Sequence, residues 1–334
     1  MPNNPKVILI ISSGHSGSTL LDLLFGTIPG VVSTGELIWL PWQVWRDGKL
    51  CTATPKQDIC TCLETFRQCP VWSKILQSIS NQFGNDISKD PLSFNISFLR
   101  HQKYSDGISY KSRILRKIMR SAIVYDLTWL SDLIIGSQRE IIQNTCMLYD
   151  HIAGTLETPY MVDSSKDILR AYAIWKERPD DTMVVLLHKD AKSYAASGKH
   201  WKAPASIQKR LQKWLDAYRK TYIPVLKKMA GCRILSVKYD ELAMAPEQVR
   251  KELATFIGIL PDSLPKWGGI SPQNMHIVAG NPMRFKETIH IKYDDRWRTE
   301  LSSKELDMAV EYEAKMQDLI NTLPDHWDHA VDKN

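Results

Sequence analysis

The residues Gly14-His-Ser-Gly-Ser-Thr19 follow the β-branched run Val7 to Ile11 after two serines and precede the apolar stretch Leu20 to Phe25. That order reads as a buried strand, a tight turn and the start of a helix. Gly14 and Gly17 admit backbone conformations that a Cβ would forbid, and the helix directs its unpaired N–H groups and positive dipole end into the turn. The chemistry that suits such a turn is the binding of an anion, a phosphate or a sulfate ester. Three familiar motifs overlap it, and none is met in full. No lysine precedes Ser18 or Thr19 to complete an ATP-type P-loop. The dinucleotide fingerprint lacks its third glycine. The nucleophile elbow of α/β-hydrolases requires glycine where Ser18 stands.

A second anion site is expected in LLHKDAKSYAASGKHW, 186–201, where Lys189, Lys192 and Ser197 follow a buried strand. Ligands of open α/β sheets bind at that carboxyl edge. The elements that must position both sites are four apolar runs, Val7 to Ile11, Tyr160 to Val162, Met183 to Leu187 and Arg233 to Val237, separated by helical stretches. This alternation predicts an α/β fold, a P-loop-like parallel sheet flanked by helices, in one domain over residues 1–334. The first two of these runs are too far apart for a single crossover helix, so a mainly helical lid or substrate subdomain is expected over about 38–158. Within it, Asn81 to Asp90 reads as a loop and Ala122 to Ile135 as one core or lid helix. Later helices are expected over 246–258, opened by Pro246 and closed by Gly258, and over 302–323.

The 334 residues carry 43 Lys and Arg against 37 Asp and Glu, a net charge of +6. The excess suits an anionic small ligand such as a nucleotide, and it lacks the clustered basic runs of a nucleic-acid protein. The opening MPNNPK is weakly charged and the apolar run behind it is cut by Ser12, Ser13 and Gly14, so neither a signal peptide nor a membrane span is expected and the location is read as cytoplasmic. Of six cysteines, Cys51, Cys60, Cys62 and Cys69 cluster locally, while Cys146 and Cys232 read as small buried hydrophobes. The C-x-C pair lacks common zinc-knuckle spacing and no histidine is near in sequence. The cluster is therefore read as packing or a labile disulfide ahead of a structural metal.

Four blocks in order, SSGHSGSTLL at 12–21, VDSSK at 162–166, VVLLHKDAKSYAAS at 184–197 and VKYDELAMAPEQVRKELATFIG at 237–258, resemble the sulfotransferases that use 3′-phosphoadenosine 5′-phosphosulfate, PAPS. The resemblance implies that Gly14, His15, Ser16, Gly17, Ser18 and Thr19 hold the 5′-phosphosulfate. It implies that Lys189 and Ser197 grip the 3′-phosphate, lysine standing where the family usually has arginine, and that Tyr239 lies near the nucleotide. His15 replaces the family's usual lysine or arginine at the bridging oxygen, where an imidazolium would assist the leaving phosphate.

Glu36 in STGEL is similar to the base of the glutamate branch, which includes the tyrosylprotein enzymes. Its other reading is a carboxylate at a helix N-terminus. Lys166 is placed near the sulfonate and Asp163 at the acceptor. Gly280, Asn281 and Arg284 in HIVAGNPMRF resemble a segment closing over the 3′-phosphate in bacterial members. Trp39, Trp42, Trp45 and Trp72 are candidates for an acceptor pocket, or core. CTCLETFRQCPVW is also similar to bacterial members, with Leu63 where glycine is frequent.

The expected activity is sulfuryl transfer from PAPS to a hydroxyl or amine of a small molecule, with adenosine 3′,5′-bisphosphate (PAP) as product, no metal, and neither nucleic acid nor membrane as partner. A cationic alkaloid of the saxitoxin kind is a candidate acceptor, resting on Glu36, Asp163 and the tryptophans. The alternatives are an ATP-dependent phosphotransferase and a non-catalytic nucleotide-binding protein.

Overall fold

A computed structural model describes residues 4–46, 59–100, 109–200 and 205–324, and the backbone of 328–329. Its centre is a parallel sheet of strands β1 (Lys6–Ser12), β2 (Val31–Ser33), β3 (Tyr160–Asp163), β4 (Thr182–His188), β5 (Arg233–Lys238) and β6 (Asp328–His329), in the order β2-β3-β1-β4-β5-β6. Registers such as Leu9 opposite Asp163 and Ser12 opposite Leu187 align the carboxyl ends of β1, β3 and β4. Beyond the four strands legible in the sequence, β2 and β6 are additions. Each is too short to show a hydrophobic period.

The chain leaves β1 toward β2 on one side and leaves β4 toward β5 on the other. The neighbours β1 and β4 therefore flank a topological switch point, the crevice where an open α/β sheet binds its ligand.

Alternate residues of β1 enter two cores. Val7, Leu9 and Ile11 face Trp72, Ile75 and Tyr149, whereas Ile8 and Ile10 face the helices Ser18–Phe25 and Pro246–Phe256. Five described helices between β2 and β3, Leu40–Arg46, Trp72–Phe83, Tyr110–Val124, Thr128–Gly136 and Arg139–Leu156, cover the first face. The single helix expected over Ala122 to Ile135 is two, because Asp126 takes a left-handed φ of 58° and turns the chain between them. The loop expected from Asn81 begins after Phe83, at Gly84 with φ 79°. The tail helix is Ser303–Ile320, opened by a capping box between Ser302 and Glu305. Among the described residues, no helix is long and apolar enough to cross a membrane.

The loop after β3 is anchored by buried charge. Asp163 accepts hydrogen bonds from Arg170 Nη1 (2.6 Å) and Tyr149 Oη (2.8 Å). Asp167 receives both Nη atoms of Arg116, at 2.8 and 2.9 Å. Burial opposes ionisation of Asp167, yet the Arg116 guanidinium holds its carboxyl down to about 2. Lys166, at a left-handed φ of 61°, is thus gripped on both sides. Arg170→Met leaves Asp163 buried without its cation, and is expected to cost about 3–5 kcal/mol in denaturant unfolding. A loss under ~1 kcal/mol would contradict this anchoring role.

Candidate active site

Two tyrosines hold the turn after β1, one of them stapling it to β4. The Ser13 amide donates to Tyr218 Oη (3.2 Å), which donates to the Leu187 carbonyl (2.7 Å), and Tyr222 Oη donates to the Ser12 carbonyl (3.1 Å). Ser13 and Ser16 share a hydroxyl hydrogen bond of 2.6 Å. His15 and Gly17 take φ of 64° and 90°. Gly17 is required twice over, since a Cβ there would stand 2.3 Å from Tyr239 Cδ2. The helix Ser18–Phe25 starts at this point, and its first amides have no partner within it.

Cations meet this cradle from the ends of two other strands. From the β3 loop, Lys166 Nζ lies 3.3 Å from Ser18 Oγ and 2.5 Å from Glu36 Oε1. From the end of β4, Lys189 Nζ sits 4.6 Å from the centre of the Tyr239 ring, whose edge packs on Gly17, and 3.8 Å from Asp294. Tyr239 therefore joins the Gly17 and Lys189 segments. The exposed His15 feels both lysines. Its pKa is lowered first by partial burial and then by Lys166 and Lys189. Burial likewise lowers the pKa of Lys189.

Glu36 is held from its backbone and its side chain. Its amide donates to the Ala279 carbonyl (3.2 Å), and its Oε2 accepts from Trp39 Nε1 (3.2 Å). A strap over residues 277–281 continues the contact, with Val278 N on the Thr34 carbonyl (3.0 Å) and Asn281 N on Thr19 Oγ1 (3.0 Å). Gly280 is needed for the close approach, as its Cβ would stand 2.9 Å from Thr19 Oγ1. A cleft of about 360 Å³ opens beside Glu36, walled by Trp39, Trp42, Arg46 and Gly280.

The structure thus gathers Gly14 to Thr19, Glu36, Lys166, Lys189, Tyr239, Gly280 and Asn281 around one rim. Ser197 lies half-buried on the helix Ala191–Lys199 that follows Lys189. Two expected site residues are engaged by internal partners. Asp163 spends its carboxylate on Arg170, Tyr149 and the Ser165 amide (2.9 Å), so it supports the Lys166 loop. Arg284 is buried, donating from Nη1 to the carbonyls of Ile59 (3.3 Å), Ile277 (3.2 Å) and Val278 (3.3 Å), so it braces the strap while also lining the cleft beside Glu36. Trp72 is core, its Nε1 donating to the His276 carbonyl at 2.6 Å.

Asp22 belongs to no motif, and its one signal in the sequence is a carboxylate amid LLDLLF. It is fully buried and accepts from Ser33 Oγ (2.7 Å) and Ser164 Oγ (2.9 Å), tying the first helix to the loops that carry Glu36 and Lys166. Burial pushes it up to about 7.

The cysteine cluster forms no disulfide among the described residues, with Cys60 Sγ and Cys69 Sγ 3.6 Å apart. The histidine missing from the sequence neighbourhood arrives from the strap, as His276. Cys51 lies outside the described residues. Cys146 and Cys232 are buried. Leu63 has a φ of 70°, which accounts for the glycine expected at that turn.

A cradle for an anion, a carboxylate able to take a proton and a lysine between them can together support transfer of a charged group to a nucleophile. No protein-family model and no curated protein matches the chain. Among solved structures it is similar to the sulfotransferase domain from the curacin biosynthetic pathway, at 15% identity over 92% of this chain and 97% of that one, with a TM-score of 0.44. It is similar also to the sulfotransferase domain from the Synechococcus PCC 7002 olefin synthase, at 16% identity over 94% and 96%, TM-score 0.47. A third is sulfotransferase STF1 from Mycobacterium tuberculosis H37Rv, at 13% identity over 77% and 68%, TM-score 0.37.

Proposed function

We propose that the chain is a sulfotransferase that moves the sulfuryl group of PAPS to a hydroxyl or amine of a small molecule. The observation that carries this reading is the contact of Glu36 with Lys166, 2.5 Å, at the mouth of the Gly14–Thr19 cradle, with the same ammonium 3.3 Å from Ser18. The cradle would take the 5′-phosphosulfate, and Lys189 with Ser197 the 3′-phosphate.

In the reaction the acceptor oxygen or nitrogen bonds to sulfur as the bond from sulfur to the phosphate oxygen breaks. The acceptor proton passes to Glu36 and PAP departs with the electron pair. Lys166 neutralises charge on the sulfonate oxygens, and His15 donates to the leaving phosphate. Asp163 and Asp22, both committed to internal partners, are poor ligands for the magnesium that a phosphotransferase needs.

The cleft argues for a neutral or anionic acceptor with an apolar body. Guanidinium groups already stand 5.9 Å from the rings of Trp42 and Trp39, those of Arg46 and Arg100, and Asp163 is withdrawn. The cationic alkaloid thereby loses two of the features it rested on.

The test pairs thermal shift with product analysis. PAP is expected to raise the melting temperature while Mg-ATP does not, and incubation with PAPS and a panel of phenols, alcohols and amines is expected to yield a sulfonated product by mass spectrometry. Stabilisation by Mg-ATP alone would overturn the proposal.

His15 supplies a pH signature. Its lowered pKa leaves the free imidazole neutral near pH 7, and a bound anion raises that pKa again. PAP binding is therefore expected to take up a proton at and just below the ordinary imidazole range, about 6.5, and to tighten as pH falls. Calorimetry in buffers of different ionisation enthalpy reads that uptake. It should vanish in His15→Asn, and its persistence there would remove His15 from the phosphate.

A further inference from the structure

Cys60, Cys62, Cys69 and His276 place three sulfurs and one ring nitrogen within 4.8 Å of one another. We propose that these four side chains bind one zinc ion in a closed Cys3His site, which clamps the first part of the helical segment to the strap that borders the active site. The inference stands apart from the sulfuryl-transfer reading, because it uses none of the nucleotide or acceptor residues.

The distances are those of ligands around a common centre. Zinc–sulfur bonds of about 2.3 Å and zinc–nitrogen bonds of about 2.0 Å at tetrahedral angles put sulfurs about 3.8 Å apart and sulfur about 3.6 Å from nitrogen. Cys60 Sγ to Cys69 Sγ is 3.6 Å, Cys60 Sγ to His276 Nδ1 is 3.6 Å, and Cys69 Sγ to His276 Nδ1 is 3.2 Å. A disulfide would need about 2.05 Å between sulfurs, and ordinary packing gives no reason for four metal-binding types to converge.

The backbone around them is arranged as a metal turn. Cys60 N donates to the Glu64 carbonyl (2.9 Å) and Leu63 N to the Cys60 carbonyl (2.9 Å), with Leu63 left-handed at φ 70°, so both thiols of Cys60-Thr-Cys62 face one side. The Trp72 amide reaches Cys69 Sγ at 3.5 Å. The backbone of His276 is held by its following peptide, the carbonyl accepting from Trp72 Nε1 (2.6 Å) and the amide of Ile277 donating to the buried Thr61 Oγ1 (3.1 Å). These backbone bonds fix where the imidazole is attached before a metal arrives.

Binding exchanges three thiol protons for the zinc ion, leaving a site of net charge −1 with neutral imidazole as fourth ligand. Four protein ligands fill a tetrahedral zinc, so the ion has no open position and its role is structural. Residues 277–281, which hold Glu36 and Thr19, begin at the ligand His276.

The test measures metal in the full-length protein, purified without chelator and then equilibrated with zinc sulfate. One zinc per chain is expected by elemental mass spectrometry. Exchange for cobalt(II) should give the thiolate charge-transfer and visible bands of a tetrahedral site. His276→Ala should lose stoichiometric zinc while His276→Cys keeps it, a pair that separates ligation from simple misfolding. Wild-type protein that stays metal-free after equilibration and shows no cobalt bands would overturn the proposal. So would stoichiometric zinc retained in His276→Ala, or a Cys60–Cys69 disulfide found by mass in the protein as isolated.

Discussion

Glu36→Gln is expected to lower turnover from PAPS by about 10²–10⁴-fold, the usual contribution of a positioned general base. The amide keeps the size of the side chain and can still accept from Trp39 Nε1, but it cannot take the acceptor's proton. PAP affinity should change little, because Lys166, which the substitution leaves in place, is what reaches Ser18 of the Gly14–Thr19 turn, while Glu36 lines the cleft. The discriminating readout is the split between kcat and nucleotide Kd. If Glu36→Gln retains full kcat, Glu36 is only the partner of Lys166 and the base lies elsewhere.

Lys166→Met should lower kcat by about 10²–10³-fold, the scale seen when one preorganised donor to developing charge is removed. The same change strips Glu36 of its 2.5 Å partner. The two residues then act as one unit, so the double variant Glu36→Gln/Lys166→Met should fall little below the weaker single. Additive losses in steady-state kinetics would mean that the ion pair is incidental to the chemistry.

What was legible in the sequence was the part written locally. The run Val7 to Ile11 followed by two glycines located a strand, a turn and a helix, and those elements stand where the residues put them. The place of Lys189 at the carboxyl end of a buried strand was legible because the run Met183 to Leu187 leads straight to it. Long-range pairing was not. Asp163 looks available in VDSSK until the helix Ile168–Glu177 folds Arg170 back onto it, and nothing local shows that Arg284 donates to the carbonyls of Ile59 and Ile277.

The cysteine cluster shows the same limit more sharply. Its histidine lies 207 residues beyond Cys69, on a strap whose path is set by contacts with Gly35 and Thr19. A spacing rule applied to nearby letters cannot find it. Strand β2 escaped for another reason: three residues, Val31–Ser33, are too few to display a period.

In the proposed reaction one doubly phosphorylated adenosine bridges the β1 turn and the end of β4. A crystal structure of the protein with PAP tests it most directly. The 5′-phosphate is predicted on the amides and hydroxyls of Gly14 to Thr19 beside Lys166, and the 3′-phosphate within reach of Lys189 and Ser197. Nucleotide bound away from that rim, or touching one of the two segments and not the other, would contradict the account.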